Sequence, residues 1–562
     1  MSATAERKGQ SQIRLRDIRL DWFEWCCFAA LVGLSLSLLG YALARGGTWT
    51  GGEGPAAMDQ LQYLTWIREA GNHFLIGNRW DFSPDSRVFL HPGFLISGLV
   101  HRFTGLSLQW SYTLLWKPVA VLSVFVATLL WVRRLVDGVW PRRLALFIAL
   151  FVVMPWSAFL KFFGVGNRVH AYVWGLHLDF PSGEIWTIQP LQGYAMTAIA
   201  IALMTALLLG VGNSSQLITW RRTALLSLGA LLLMWLQPWQ GAELLLIVAA
   251  VEVWLRVRSG REIRWRLLTL FVAGSAPAIY YAWLGKTDSA WKLAGEANSV
   301  SHQALIAWPL WAILVTFVPL AVPAAFAYRR GTDDWGQLAA RAWPLAAGVV
   351  YLLPLGTFPF HAVQGVMIPL AVLIVQGLTV SRPKRIPSLP AWLIVALLIF
   401  FSVPGTIHKM WSSVHLMTTA TYPYNFEPGE EAALKWLAKN PAPGGVLTDG
   451  YGGLLVPPFS GRESYIGPFS WTPDLLNRTV FVDPVLNGTS NPFTAQGFVR
   501  GTGARFVFQS CHGKPTPGPS LRHELGDLVE SEHQFGCARV YVLRDSLVSG
   551  LVSSRIGGSD GG

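Results

Sequence analysis

A bundle of membrane-crossing helices with a small α/β domain outside the bilayer is the fold class this sequence predicts, and three observations predict it. Hydrophobic residues make up 52% of the chain and charged residues only 14%, far from the balance of a soluble protein. Apolar runs of the roughly 20 residues a bilayer core requires recur from residue 22 to residue 409. Beyond residue 411 the runs become short and are punctuated by Gly and Pro, as in a mixed domain of strands and helices.

The net charge of +12 does not point to nucleic acid, because the basic residues sit in short clusters between apolar runs rather than on one polar face. They set topology instead. Spans are expected near 22–44, 109–132, 143–163, 190–211, 223–237, 240–256, 266–285, 305–328, 342–357, 363–380 and 388–409, about eleven in all. The runs flanking Gln237-Pro238-Trp239-Gln240 are short enough to be one kinked helix. Counting them as two puts every basic cluster on one side: Arg7/Lys8/Arg14/Arg16/Arg19, Arg133/Arg134/Arg142/Arg143, Arg221/Arg222, Arg256 to Arg266, Arg329/Arg330/Arg341 and Arg382/Lys384/Arg385. By the positive-inside rule that side is cytoplasmic, here at the plasma membrane, with the C-terminal domain extracytoplasmic. Residues 1–21 form a basic cytoplasmic N-terminus, followed by a retained first span rather than a cleaved signal.

The first span leads into an outer loop, 45–108, within the transmembrane domain 22–410. Met58, Leu61, Leu64 and Ile67 recur at helical spacing there, predicting a helix over 56–74 in the headgroup plane with Asp59 in its first turn. His91-Pro92-Gly93-Phe94-Leu95 opens a segment too short to cross, expected to be re-entrant or interfacial. The outer domain, 411–545, is predicted to hold an amphipathic helix at 430–437 and strands near 445–448, 505–508 and 538–543; a Gly/Ser-rich tail occupies 546–562. Cys511 and Cys537 both fall in that domain, in an oxidising compartment on this topology, and are expected to form a disulfide.

These features together resemble the GT-C superfamily of integral membrane glycosyltransferases, in particular bacterial polyprenyl-phosphate-sugar-dependent members related to the mannosyltransferases. Three short motifs carry the resemblance: an acid after the first span (Asp59-Gln60, where the family commonly has Asp-Glu), His91-Pro92-Gly93-Phe94-Leu95 beside the family's His-Pro-Pro-Leu, and Lys117-Pro118 where many relatives have Arg-Pro. The resemblance implies inverting transfer of a sugar from a polyprenyl-phosphate donor to a glycan, lipid or protein acceptor at the outer face of the lipid bilayer. Such a reaction needs a base for the acceptor hydroxyl, cations for the leaving phosphate and an apolar groove for the isoprenoid.

Asp59 is the candidate base, against the simpler reading of a carboxylate favoured at a helix N-terminus. Lys117, Arg168, His170, Lys286 and His361 are the candidate phosphate ligands, each also readable as an ordinary loop or snorkelling charge. His91, Asp179, Glu184, Glu243 and Trp239 are candidates for the acceptor or sugar side or for a secondary acid. Neither outer loop has an Asp-x-Asp pair, so Mg²⁺ or Mn²⁺ is an option rather than a required cofactor. Two other classes fit the composition: a transporter or lipid flippase, for which Pro-interrupted spans are suited, and a non-catalytic subunit of an envelope-assembly complex. An acid-bearing outer loop followed by interfacial helices favours the transferase.

Overall fold

The computed structural model describes residues 19–83, 86–163, 168–213, 219–306, 308–353, 358–380, 390–418, 423–512 and 521–544. Most of the N-terminal basic segment, the cluster at 382–385 and the tail 546–562 lie outside these residues.

Six helices among the described residues are long and apolar enough to cross a membrane: Trp22–Ala44, Leu108–Leu135, Ala195–Gly212, Trp265–Thr287, Leu310–Arg329 and Trp392–Thr418. A seventh crossing arises if Val139–Phe151 and Trp156–Phe163, bent by 62° at their junction, count as one. The chain is thus a multi-pass membrane protein, but the expected eleven crossings are not confirmed. The spans expected at 223–237, 240–256, 342–357 and 363–380 coincide with helices Trp220–Leu236, Pro238–Ser259, Trp335–Leu352 and Met367–Val380. Those helices are shorter, or interrupted by charges such as Glu243, Glu252 and Arg256, so length and composition alone do not make them crossings. Pro238 falls at the first position of its helix, where its missing N–H is tolerated, so two helices form instead of one kinked one.

Ion pairs tie the basic helix ends together at one face of the bundle. Arg133 meets Glu24 at 2.5 Å, Arg143 meets Asp21 at 2.8 Å, Arg134 meets Asp334 at 2.8 Å and Arg264 meets Glu252 at 2.5 Å. The opposite ends of two of these helices, Trp22–Ala44 and Leu108–Leu135, flank the loop that includes Asp59.

That loop is more enclosed than its sequence suggests. Helix Ala57–His73 buries Leu61, Leu64, Trp66 and Ile67 against protein rather than lipid. Its partner, Pro92–Thr104, comes so near that a Cβ on Gly98 would stand 2.4 Å from the Ile67 carbonyl oxygen, and one on Gly71 would stand 2.5 Å from the Gly98 carbonyl oxygen. Glycine at both positions lets the two backbones touch.

The C-terminal domain caps the loop. Strands β1 (Thr48–Trp49) and β2 (Asn425–Phe426) pair antiparallel, joining the start of the loop to the start of the domain. Strands β3 (Val446–Leu447), β4 (Phe506–Gln509), β5 (Val529–Phe535) and β6 (Ala538–Leu543) form a sheet in the order β3-β4-β6-β5, with β3 and β4 parallel and the other pairs antiparallel. The expected helix is present as Pro428–Lys439, and the disulfide Cys511–Cys537 is formed. Trp80, fully buried, donates its indole N–H to the Gly453 carbonyl at 2.9 Å, and Arg79 bridges to Glu463 at 2.8 Å.

Candidate functional site

Asp59 lies in the first turn of helix Ala57–His73, where a carboxylate suits the unpaired N–H groups, yet it does not cap the helix. Its side chain is reachable by solvent and turns instead toward Tyr194, whose hydroxyl donates to Asp59 Oδ2 at 2.6 Å. Tyr194 occupies the break between helices Gln189–Gly193 and Ala195–Gly212. That break lets its ring leave the bundle and point at the loop.

His361 and Glu184 complete the surroundings. The protein packed around Asp59 pushes its carboxyl above the usual carboxylate range, and the Glu184 charge adds to this, while the Tyr194 hydrogen bond and His361 oppose it. His361 Nδ1 stands 3.9 Å from Glu184 Oε2, with its ring against Trp239 (centroids 4.9 Å apart) and near Tyr194 (6.1 Å). Glu184, almost wholly buried, accepts from Gln364 at 2.6 Å and from Gln189 at 3.1 Å. Asp59, Tyr194, His361, Glu184 and Trp239 therefore form one cluster of polar and aromatic side chains.

The other expected site residues are placed elsewhere. Lys117 is buried and paired with Glu53, whose backbone N–H donates to Gln60 Oε1 at 2.7 Å. The pair pins the loop to helix Leu108–Leu135 six residues before Asp59. His91 is the N-cap of helix Pro92–Thr104, accepting from the Phe94 N–H at 3.3 Å and stacking on the Phe94 ring. Burial pushes its imidazole down to about 4, so it is neutral and structural in character.

Asp179 binds Lys409 Nζ at 2.9 Å and accepts from Ser157 at 3.0 Å, with His408 Nε2 at 3.9 Å. Burial raises its carboxyl, but Lys409 and His408 outweigh that and hold it below the usual range. Glu243 is fully buried and accepts from the Trp343 indole at 3.0 Å, one helical turn from Gln240. Lys286 is exposed at the end of its helix. Arg168 and His170 begin helix Arg168–Glu184, but their side chains lie outside the described residues.

Sequence reasoning missed Tyr194, Glu53 and Lys409. Only Lys409 left a signal, as a His-Lys pair at the end of an apolar run; an ordinary Tyr at a helix break and a Glu in a Gly-rich loop leave none.

Comparison with solved structures turns on the overall arrangement rather than on sequence. The apo oligosaccharyltransferase of Archaeoglobus fulgidus aligns over 87% of this chain and 70% of its own, with a TM-score of 0.52 and 12% identity. The same enzyme in complex with zinc and sulfate aligns over 86% and 67%, with a TM-score of 0.50 and 13% identity. This chain has the GT-C fold. ArnT from Cupriavidus metallidurans bound to undecaprenyl phosphate covers more of both chains, 94% and 99%, at a TM-score of 0.45 and 11% identity. No protein-family model and no curated protein sequence matches the chain. The first long loop, which carries Asp59, contacts the helical bundle through Tyr194 and the C-terminal domain through Trp80 and Arg79.

Proposed function

We propose that the protein is an inverting glycosyltransferase of the plasma membrane, moving a sugar from a polyprenyl-phosphate donor to an envelope glycan, lipid or protein acceptor, with Asp59 as base. One observation carries the reading: Asp59 is a solvent-reachable carboxylate of the first loop, bonded to Tyr194 and clustered with His361, Glu184 and Trp239. Its raised proton affinity suits a group that must take a proton in the transition state.

Asp59 removes the proton from the acceptor hydroxyl as its oxygen bonds to the anomeric carbon from the face opposite the leaving group. The anomeric C–O bond breaks with its electron pair going to the polyprenyl phosphate. His361, which stands beside Glu184 and against the Trp239 ring, is assigned to the departing phosphate, and Trp239 to a face of the sugar. The basic face is assigned to the cytoplasm, and Asp59 with the C-terminal domain to the extracytoplasmic side.

An archaeal neighbour of the same fold was solved with zinc and sulfate. Among the described residues here, no group of three or more His, Cys, Asp or Glu side chains could hold a metal ion, so no step is routed through one. Mg²⁺ and Mn²⁺ are tested directly by chelation.

The deciding experiment incubates purified protein in nanodiscs with a panel of radiolabelled polyprenyl-phosphate sugars and membrane glycolipid extracts, beside D59N. Transfer by the wild type, lost by at least about a hundredfold in D59N, supports the reading. Binding of donor without transfer in either form moves the assignment to a flippase or a partner subunit.

A further inference from the structure

A second feature lies at the far end of the bundle. Helices Leu108–Leu135 and Ala195–Gly212 leave between them a cavity of about 500 Å³, lined by small and apolar side chains including Ala127, Leu130, Ala202 and Ala206. It runs from Ser123 to Arg134, eleven residues, or about 16 Å of helix. That is the depth of one leaflet's hydrocarbon, about 15 Å.

The polar end of the groove is basic. Arg134 reaches Asn213 at 3.3 Å and Asp334 at 2.8 Å, and Arg222 donates to the carbonyl of Gly210, which itself lines the groove, at 2.8 Å. Arg134, paired with Asp334, and Arg222 thus stand together at this end of the groove.

We propose that this groove is a binding site for an anionic phospholipid of the basic-side leaflet, one acyl chain lying between the two helices and the phosphodiester beside Arg134 and Arg222. The reacting phosphate of a sugar donor does not fit the same mouth. Tyr194, which binds Asp59, and Asn213 cap the two ends of one helix, and their separation of nineteen positions is about 28 Å of helix. The groove thus serves a lipid whose headgroup stays at the face opposite the reaction.

Native mass spectrometry of the delipidated full chain, titrated with phosphatidylglycerol or with phosphatidylcholine of the same acyl chains, tests the assignment. The wild type should retain one phosphatidylglycerol per chain, with phosphatidylcholine held about fivefold or more weakly. A206W fills the groove and should abolish retention of both, while R222Q should keep a lipid bound but lose the preference. Thermal melting of each variant separates loss of the site from loss of fold, and R222Q carries the test if A206W misfolds. Equal retention of the two lipids by the wild type overturns the proposal. So does co-purification from native membranes of a polyprenyl phosphate that A206W removes, since the groove would then belong to the donor chain.

Discussion

Tyr194 sets the proton affinity of Asp59 by donating to its charged form, which opposes the upward push of the packed protein. In Y194F that opposing bond is gone, so the Asp59 carboxyl rises further. If Asp59 is the base, the acid limb of kcat/KM against pH moves to higher pH in Y194F, and a limb that stays in place would show that another group titrates there. Lys117 answers to a different test. Removing it leaves Glu53 buried without its counter-charge, and K117M should destabilise the fold by about 3–5 kcal/mol, measured as loss of thermal stability in detergent. At this scale the sequence was half legible. Asp59 stood out because an acid just after a first span is rare and local. Its partner lies 135 residues away and the Glu53–Lys117 pair spans 64, distances over which no periodicity or motif carries information.

Apolar runs made most helices readable as elements, since burial or lipid contact on every side leaves an unmistakable composition. Crossings were harder, because a fully apolar helix inside a large bundle and one facing lipid look the same in sequence. The single expected span 143–163 is bent by 62° with Pro155 between its halves, where the missing N–H and the restricted residue before it break the helix. Strand β5, VESEHQF, went unnoticed because it sits at the sheet edge with polar residues along its exposed face, and its apolar positions are too few to read as a strand.

In the same domain His512 Nδ1 donates to the buried Glu430 carboxylate at 3.0 Å, next to the disulfide, and that bond holds the imidazole above its ordinary value despite partial burial. A group raised on folding stabilises fully below its unfolded pKa of about 6.5 and loses that contribution as pH climbs through the folded value. The melting temperature of the wild type should therefore fall from about pH 6 to pH 8 more steeply than that of H512Q. The Cys511–Cys537 bond closes a separation of 26 residues, so C511S/C537S should lose roughly 3 kcal/mol of domain stability.

Taken whole, the molecule is a bundle whose long first loop is held from both sides. Trp80 and Arg79 lock the loop onto the C-terminal domain, and W80A, which empties a fully buried site, should cost about 3–5 kcal/mol and open the domain to limited proteolysis while the helical bundle survives. The plan of membrane helices followed by small sheets near the C-terminus was legible from the change in composition beyond the last apolar run. That the domain would grip the loop was not, because the gripping residues are single Trp, Arg and Glu side chains on segments hundreds of positions apart.

The β1–β2 ribbon adds a dimension of time. Trp49 pairs with Asn425, so during synthesis β1 leaves the ribosome 376 residues before its partner exists. At the usual pace of translation that is a wait of roughly 20–75 s. Throughout it, the Asp59 loop lacks its C-terminal cap, which is completed only as the last quarter of the chain arrives. A nascent or truncated chain therefore lacks both the β1–β2 ribbon and the grip of Trp80 and Arg79 on the C-terminal domain.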